Sequence, residues 1–270
     1  MATRKPKTLL EHTRTGEGPP LVLLHGVGGR REMWDPVVPL LAPHREVITV
    51  DLPGFGASRL ADGQDLRAVG IAATVADFCA SIGIERPHVA GNSLGGWVSL
   101  EMAKAGRVAS MTGIAPAGLW RVRVPRYTKW QVLGIHDLPM HLGPLMSPMT
   151  RIAPLRWSLT ANVMGKPWKT PRSVLLADSK SMLESEAFKL TLNAASGLRF
   201  RDGHHIDVPI TIAFGQRDVI LGPGCRYRGE LPAHTRWLTP RGWGHVPMYD
   251  DPKGVAAVLL DGSSVSALAA

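Results

Sequence analysis

An α/β fold, with a mostly parallel, doubly wound sheet and an inserted helical cap, is what this 270-residue sequence predicts. Three observations carry the prediction. Short continuous apolar runs, the mark of strands covered on both faces, alternate with stretches of helical period. The first three runs end in glycine-bearing turns. The alternation then stops near Gly118 and resumes after Leu198, so that residues 1–118 and 199–270 read as one core and 119–198 as an insertion.

Taken in order, residues 8–12 and the turn Gly16-Glu17-Gly18 predict a short N-terminal strand or hairpin. Residues 21–24 form the first buried strand, which ends at His25-Gly26-Val27-Gly28-Gly29, and a helix is expected over 33–41. Residues 47–50 form the second, ending at Asp51-Leu52-Pro53-Gly54-Phe55-Gly56. A helix is expected over 66–82, with Val69, Ala72, Ala73, Ala76, Cys79 and Ala80 on its apolar face. Residues 88–90 and 111–114 are the third and fourth strands, and 97–104 is a helix between them. The insertion is rich in Pro, Met and Trp. Strand pattern returns at 209–214 and 235–238, followed by a closing helix at 255–260 and a loosely ordered tail at 262–270.

Composition bounds the class. A chain of this length buries one large core, and 44% hydrophobic with 20% charged residues is ordinary for a globular enzyme. Cys79 and Cys225 have neither metal-ligand nor Cys-x-x-Cys spacing, so no disulfide framework and no metal or other cofactor is expected. The basic start at 1–7 is followed by no apolar stretch and the apolar runs are strand-sized; no signal peptide and no transmembrane segment are expected, and the cytoplasm is the predicted compartment. The net charge of +9 is uneven, since 120–172 holds nine Lys or Arg against the single acid Asp137.

The chemistry concentrates at Gly91-Asn92-Ser93-Leu94-Gly95-Gly96, a Gly-x-Ser-x-Gly turn between a strand and a helix. Such a turn forces the serine into a strained backbone and holds its hydroxyl over the carboxyl edge of the sheet, at a helix N-terminus that favours developing negative charge. A serine hydroxyl needs a neighbouring base, usually a histidine oriented by a carboxylate. Of ten histidines, His245 in Gly242-Trp243-Gly244-His245 is best placed, in a glycine-flanked loop after the last strand; His204 and His205 lie at the wrong sheet edge. Asp218 follows the 209–214 strand directly and completes the order Ser, Asp, His, whereas Asp51 precedes the serine and is expected to shape its own loop. An oxyanion needs two fixed donors, for which the candidates are the backbone N–H groups of Leu94 and of Val27. His25 is expected to brace the Val27 loop.

Together these motifs resemble the α/β-hydrolase-fold serine hydrolases that carry a cap. The resemblance covers residues 21–255 outside the insertion and implies an acyl-enzyme on Ser93 with His245 as base and Asp218 orienting it. Within that group, an aspartate at position 93 would suggest dehalogenases or epoxide hydrolases, and serine argues against both. The carbon–carbon hydrolases that use serine carry a Gly-Pro-Gly-Ala oxyanion loop and a tryptophan after the histidine. This chain has Val27-Gly28-Gly29-Arg30 and Val246, which puts carboxylic ester hydrolysis ahead. Carbon–carbon cleavage of a diketone-type substrate is the alternative, as is a catalytically silent fold serving as a ligand receptor.

Two readings of the insertion stand side by side. Its basic residues form a solvated outer face over an apolar inner one. Or Trp120, Trp130, Trp157 and Trp168, with Met140, Met146, Met149 and Met164, line an acyl or aryl pocket whose basic rim recruits anionic substrates or an acidic membrane surface. The expected partner is a small ester or acyl substrate; no recognition motif points to nucleic acid.

Overall fold

The computed structural model describes residues 10–264, so the start of the expected N-terminal strand and most of the expected tail lie outside it. Seven strands make one sheet: β1 (His12–Thr15), β2 (Pro20–Leu24), β3 (Glu46–Val50), β4 (His88–Asn92), β5 (Ser110–Ile114), β6 (Ile210–Ala213) and β7 (Arg236–Leu238). Their order is β1-β3-β2-β4-β5-β6-β7, parallel throughout except for β1, which runs antiparallel to β3. The N-terminal strand therefore makes no hairpin with its successor.

Alternation along β2 explains why both faces are apolar. Val22 and Leu24 join the core beneath α2 (Ala68–Ser81) and α3 (Leu94–Lys104), while Leu21 and Leu23 join a second core with Leu41 of α1 (Val38–Leu41) and Val255 and Leu259 of α9 (Pro252–Gly262). Chain direction reverses across β2: the chain passes from β2 to β3 on one side, then to β4 on the other. Such a switch point opens a crevice at the carboxyl ends of the strands. The loops after β2 and β4 are the ones carrying Val27 and Ser93.

Three expected elements differ in detail. The helix over 33–41 is broken into a 3₁₀ turn, Arg31–Trp34, and the short α1, because Pro36 and Pro39 remove donors there. In α2 the expected Ala72, Ala76 and Cys79 are buried, joined by Ile71, Val75 and Phe78, while Val69 is half exposed and Ala73 and Ala80 face solvent. With alanines around most of that helix, spacing alone does not single out a face. The closing helix starts earlier, with Pro252 in its first turn and Asp251 accepting from Gly254 N at 3.1 Å, and it runs through Gly262.

Between β5 and β6 lie five α-helices among the described residues: α4 (Arg126–Leu142), α5 (Met146–Met149), α6 (Ala153–Thr160), α7 (Arg172–Glu184) and α8 (Ala187–Ala195). Both ends of this segment meet. Phe200 N donates to Gly118 O at 3.0 Å, and Trp120 Nε1 to Leu198 O at 2.8 Å. Trp120 also packs edge-on against Trp97 of α3, with ring centroids 5.3 Å apart.

Candidate active site

β4 delivers the chain to Ser93, which adopts φ 55° and ψ −113° and caps α3. A left-handed backbone at a non-glycine residue costs roughly 1–3 kcal/mol and persists only where the surroundings impose it. Here Ser93 N donates to Ile114 O (3.1 Å), and Ser93 O accepts from Trp97 N (3.1 Å) and Ala117 N (2.9 Å). Space is equally restrictive. A Cβ on Gly91 would lie 2.2 Å from the carbonyl of Gly95, and one on Gly95 would lie 2.4 Å from Leu24 O. Gly91→Ala should therefore lower stability by about 3 kcal/mol, the upper range for overpacking, because both clashing groups are backbone. Urea unfolding checks this; a midpoint indistinguishable from the parent's would mean that the turn has room to spare.

His245 and Asp218 arrive from the loops after β7 and β6. His245 Nδ1 and Asp218 Oδ2 are 3.1 Å apart, and Asp218 Oδ1 accepts from Ile220 N (3.0 Å) and Leu221 N (2.9 Å). Burial pushes the Asp218 carboxyl up, but the imidazole of His245, the Leu221 N–H and Arg226 outweigh it and hold Asp218 below the usual carboxylate range. Ser93 and His245 line the same cavity, and among the described residues no hydrogen bond joins the Ser93 hydroxyl to the imidazole. The position of Gly26, whose Cβ would lie 3.1 Å from Ser93 Cβ, brings the Val27 loop alongside. Leu94, in the first turn of α3, has an N–H with no acceptor inside the helix.

The other candidates fall where the loops need them. His25 Nδ1 bonds Gly26 O at 2.7 Å and Nε2 accepts from Leu52 N at 2.9 Å, so both ring nitrogens brace the two flanking loops, and burial pushes its pKa down. Asp51 is taken up by Arg31 N (2.7 Å), the Arg31 guanidinium (2.5 Å) and Ala57 N (2.9 Å). His204 and His205 are exposed.

Residues that spacing did not single out hold the parts together. Asn92 Nδ2 donates to Ile114 O (3.1 Å) and to His245 O (2.8 Å), tying the histidine loop to the serine turn. Asp250, fully buried, accepts from Gly244 N and Gly165 N (both 2.8 Å) and Lys166 N (2.6 Å). Val163 O accepts from His245 N (2.8 Å) and Val246 N (3.1 Å). The histidine loop is thus clamped by residues of the insertion. An isolated asparagine or aspartate carries no local pattern that would mark such roles.

Above Ser93 is a cavity of about 650 Å³, walled by apolar residues such as Val132, Ile135, Met146, Met164, Met182 and Phe188. A smaller one of about 80 Å³ lies on its other side, against Leu94, Trp97 and Trp120. The expected tryptophan wall is therefore corrected. Of the four tryptophans expected there only Trp120 lines a cavity at Ser93, whereas Trp130, Trp157 and Trp168 are exposed, and Met140 and Met149 do not reach the main cavity. In α4 Val132 and Ile135 take the cavity side, which leaves Trp130 outside it, and Trp168 belongs to the 3₁₀ turn Pro167–Lys169 rather than to an α-helix. None of the nine basic residues of 120–172 lines the main cavity; its one cation is Arg30, whose Nε donates to Asp178 Oδ1 at 3.1 Å. Among the described residues no group of three or more His, Cys, Asp or Glu could hold a metal ion.

Comparison with known proteins agrees with this architecture. The sequence model of the Alpha/beta hydrolase family matches residues 21–258. The epoxide hydrolase EphH of Mycobacterium tuberculosis is 28% identical over 193 residues, 66% of this chain and 86% of that protein. The pimeloyl-[acyl-carrier protein] methyl ester esterase of Aeromonas hydrophila is 44% identical over 90 residues, a third of either chain (33% and 34%). Among solved structures, the epoxide hydrolase CorEH superimposes with a TM-score of 0.73 at 20% identity, covering 94% of each chain.

Proposed function

The chain belongs to the alpha/beta hydrolase family, and on that premise we propose that it is a serine hydrolase of carboxylic esters. Ser93 Oγ attacks the ester carbonyl while His245 Nε2 takes its proton, Asp218 holds the imidazole in the tautomer that leaves Nε2 free, and the N–H groups of Val27 and Leu94 receive the oxyanion. The alcohol leaves with the proton from His245, and water then releases the acid from the acyl-enzyme. The observation that carries this reading is the conjunction at one cavity of a strained serine at the N-terminus of α3 and a histidine bonded to a buried carboxylate. The lack of a hydrogen bond between Ser93 and His245 accords with it, since such bonds commonly tighten only around substrate.

Residues 119–198 act as the cap. The two cavities meeting at Ser93 fit an ester with a medium-length or aromatic apolar part in the larger space and a small group in the other. Similarity to a methyl ester esterase supports the bond type; similarity to epoxide hydrolases is outweighed by serine at position 93. Because the cap's cations, Lys129 of the smaller cavity excepted, lie outside both cavities, they act on capture of anionic esters rather than on the bound state.

A fluorophosphonate probe should label Ser93 and abolish hydrolysis of p-nitrophenyl esters. Across an acyl series kcat/KM should peak at medium chain length, and an anionic ester should gain a few-fold over a neutral one only at low salt, below screening by a Debye length of about 10 Å at 0.1 M. A vinylogous diketone and an epoxide serve as comparison substrates. Turnover of either above the best ester, or labelling of Ser93 with no ester turnover at all, would reject the ester reading.

A further inference from the structure

Fifteen large hydrophobic side chains are exposed among the described residues, and thirteen of them belong to the segment 122–198, less than a third of the chain. The segment thus carries exposed apolar side chains far out of proportion to its length. Along α4, Arg126, Trp130, Gly134 and Leu138 follow one i, i+4 ridge and all four are exposed. Gly134 and Leu138 also line the main cavity, as do the exposed Ser158 of α6 and Asn162 just beyond it, so the cavity opens to solvent between these two helices. Trp130 stands one turn from that mouth on one side, and Trp157 adjoins Ser158 on the other.

The cations of this segment divide into two groups. Arg156, Lys166, Lys169 and Arg172 are committed to carbonyl and hydroxyl oxygens of Thr150, Asp250 and Ser147, and they staple the fold. Arg121, Arg123, Arg126, Lys129 and Arg151 are exposed and make no ion pair among the described residues. The single acid of 120–172, Asp137, faces His136 at 2.7 Å and Lys189 at 3.9 Å.

From this juxtaposition we propose that the cap docks on the surface of an anionic phospholipid bilayer, with the cavity mouth facing the lipid. Exposed tryptophans favour the headgroup level of a membrane, and unpaired Lys and Arg are drawn to anionic headgroups. A second copy of the chain is disfavoured as occupant, since two faces of the same uncompensated positive sign would meet. An apolar ester dissolved in the bilayer would then enter the cavity without crossing water. That last role rests on the hydrolase reading; the docking itself does not.

Co-sedimentation with vesicles tests it. The full chain should bind vesicles of phosphatidylcholine with phosphatidylglycerol at low salt, bind phosphatidylcholine alone at least tenfold more weakly, and detach as salt rises. Arg121→Glu with Arg123→Glu and Arg126→Glu should weaken binding to the anionic vesicles at least tenfold, and Trp130→Ser should weaken it several-fold. Each variant should keep its turnover of a neutral, water-soluble ester and its circular dichroism. Ser93→Ala should sediment like the parent, which separates failure of docking from failure of the hydrolase reading. Absence of binding to anionic vesicles, equal binding by the charge-reversed variant, or a solution dimer that Trp130→Ser dissociates would overturn the proposal.

Discussion

Ser93→Ala is expected to lower turnover of a p-nitrophenyl ester by about 10⁴-fold or more, the loss typical of removing a member of such a triad. Among the residues lining the main cavity the charged or basic groups are His245, Arg30 and Asp178, and the latter two are paired with each other, so none of these replaces the hydroxyl as nucleophile. Alanine keeps the backbone bonds to Ile114, Trp97 and Ala117, and it inherits the same strained φ of 55°. The fold should therefore persist, with an unfolding midpoint close to the parent's. Initial rates at saturating ester, beside a denaturant curve, check both halves. Activity within about tenfold of the parent would remove Ser93 from the mechanism.

Asp218→Asn should cost nearly as much, again about 10⁴-fold in kcat. The amide oxygen would still accept from Ile220 N and Leu221 N, which fixes the amide's orientation and turns its NH₂ toward His245 Nδ1. Nδ1 must then act as acceptor, so the ring proton moves to Nε2, the nitrogen that receives the proton of Ser93 in the proposed mechanism. Geometry survives while the base is lost. Asp51 offers no substitute, being engaged by Arg31 and Ala57. The variant also changes the acid limb of stability. Asp218 titrates lower in the folded chain than unfolded, so its contribution is complete above the unfolded value and is lost as pH falls through the folded one. An amide has no such titration, and the Asp218→Asn variant should show a flatter limb. Near-parental kcat in that variant would place the orienting acid elsewhere.

Much of this site is legible in sequence because each part is local. Ser93, Asp218 and His245 each follow a strand and sit in a glycine-bearing turn, and a turn of that kind is written in three to six consecutive residues. The pairing of distant loops is not. Asn92 reaches His245 O across 153 positions, and Asp250 joins Gly244 to Gly165 and Lys166 across the insertion; no periodicity records such bonds. The same limit explains the insertion. Its tryptophans and methionines suggest an apolar wall, but which side of a short helix faces a cavity depends on where the neighbouring helices dock.

Local order in the chain is therefore enough for the strand and helix alternation, the strained serine turn, the chain order of the three candidate residues and the uneven charge. These follow from short-range sterics and from the two periods with which apolar side chains recur. Only the assembled fold sets the strand order that opens the crevice at β2 and β4, and the clamp on the histidine loop. It also sets which aromatic residues face outward and which cations make no ion pair among the described residues. These depend on contacts between residues far apart in the chain, where packing and burial of polar groups, rather than local preference, select the arrangement.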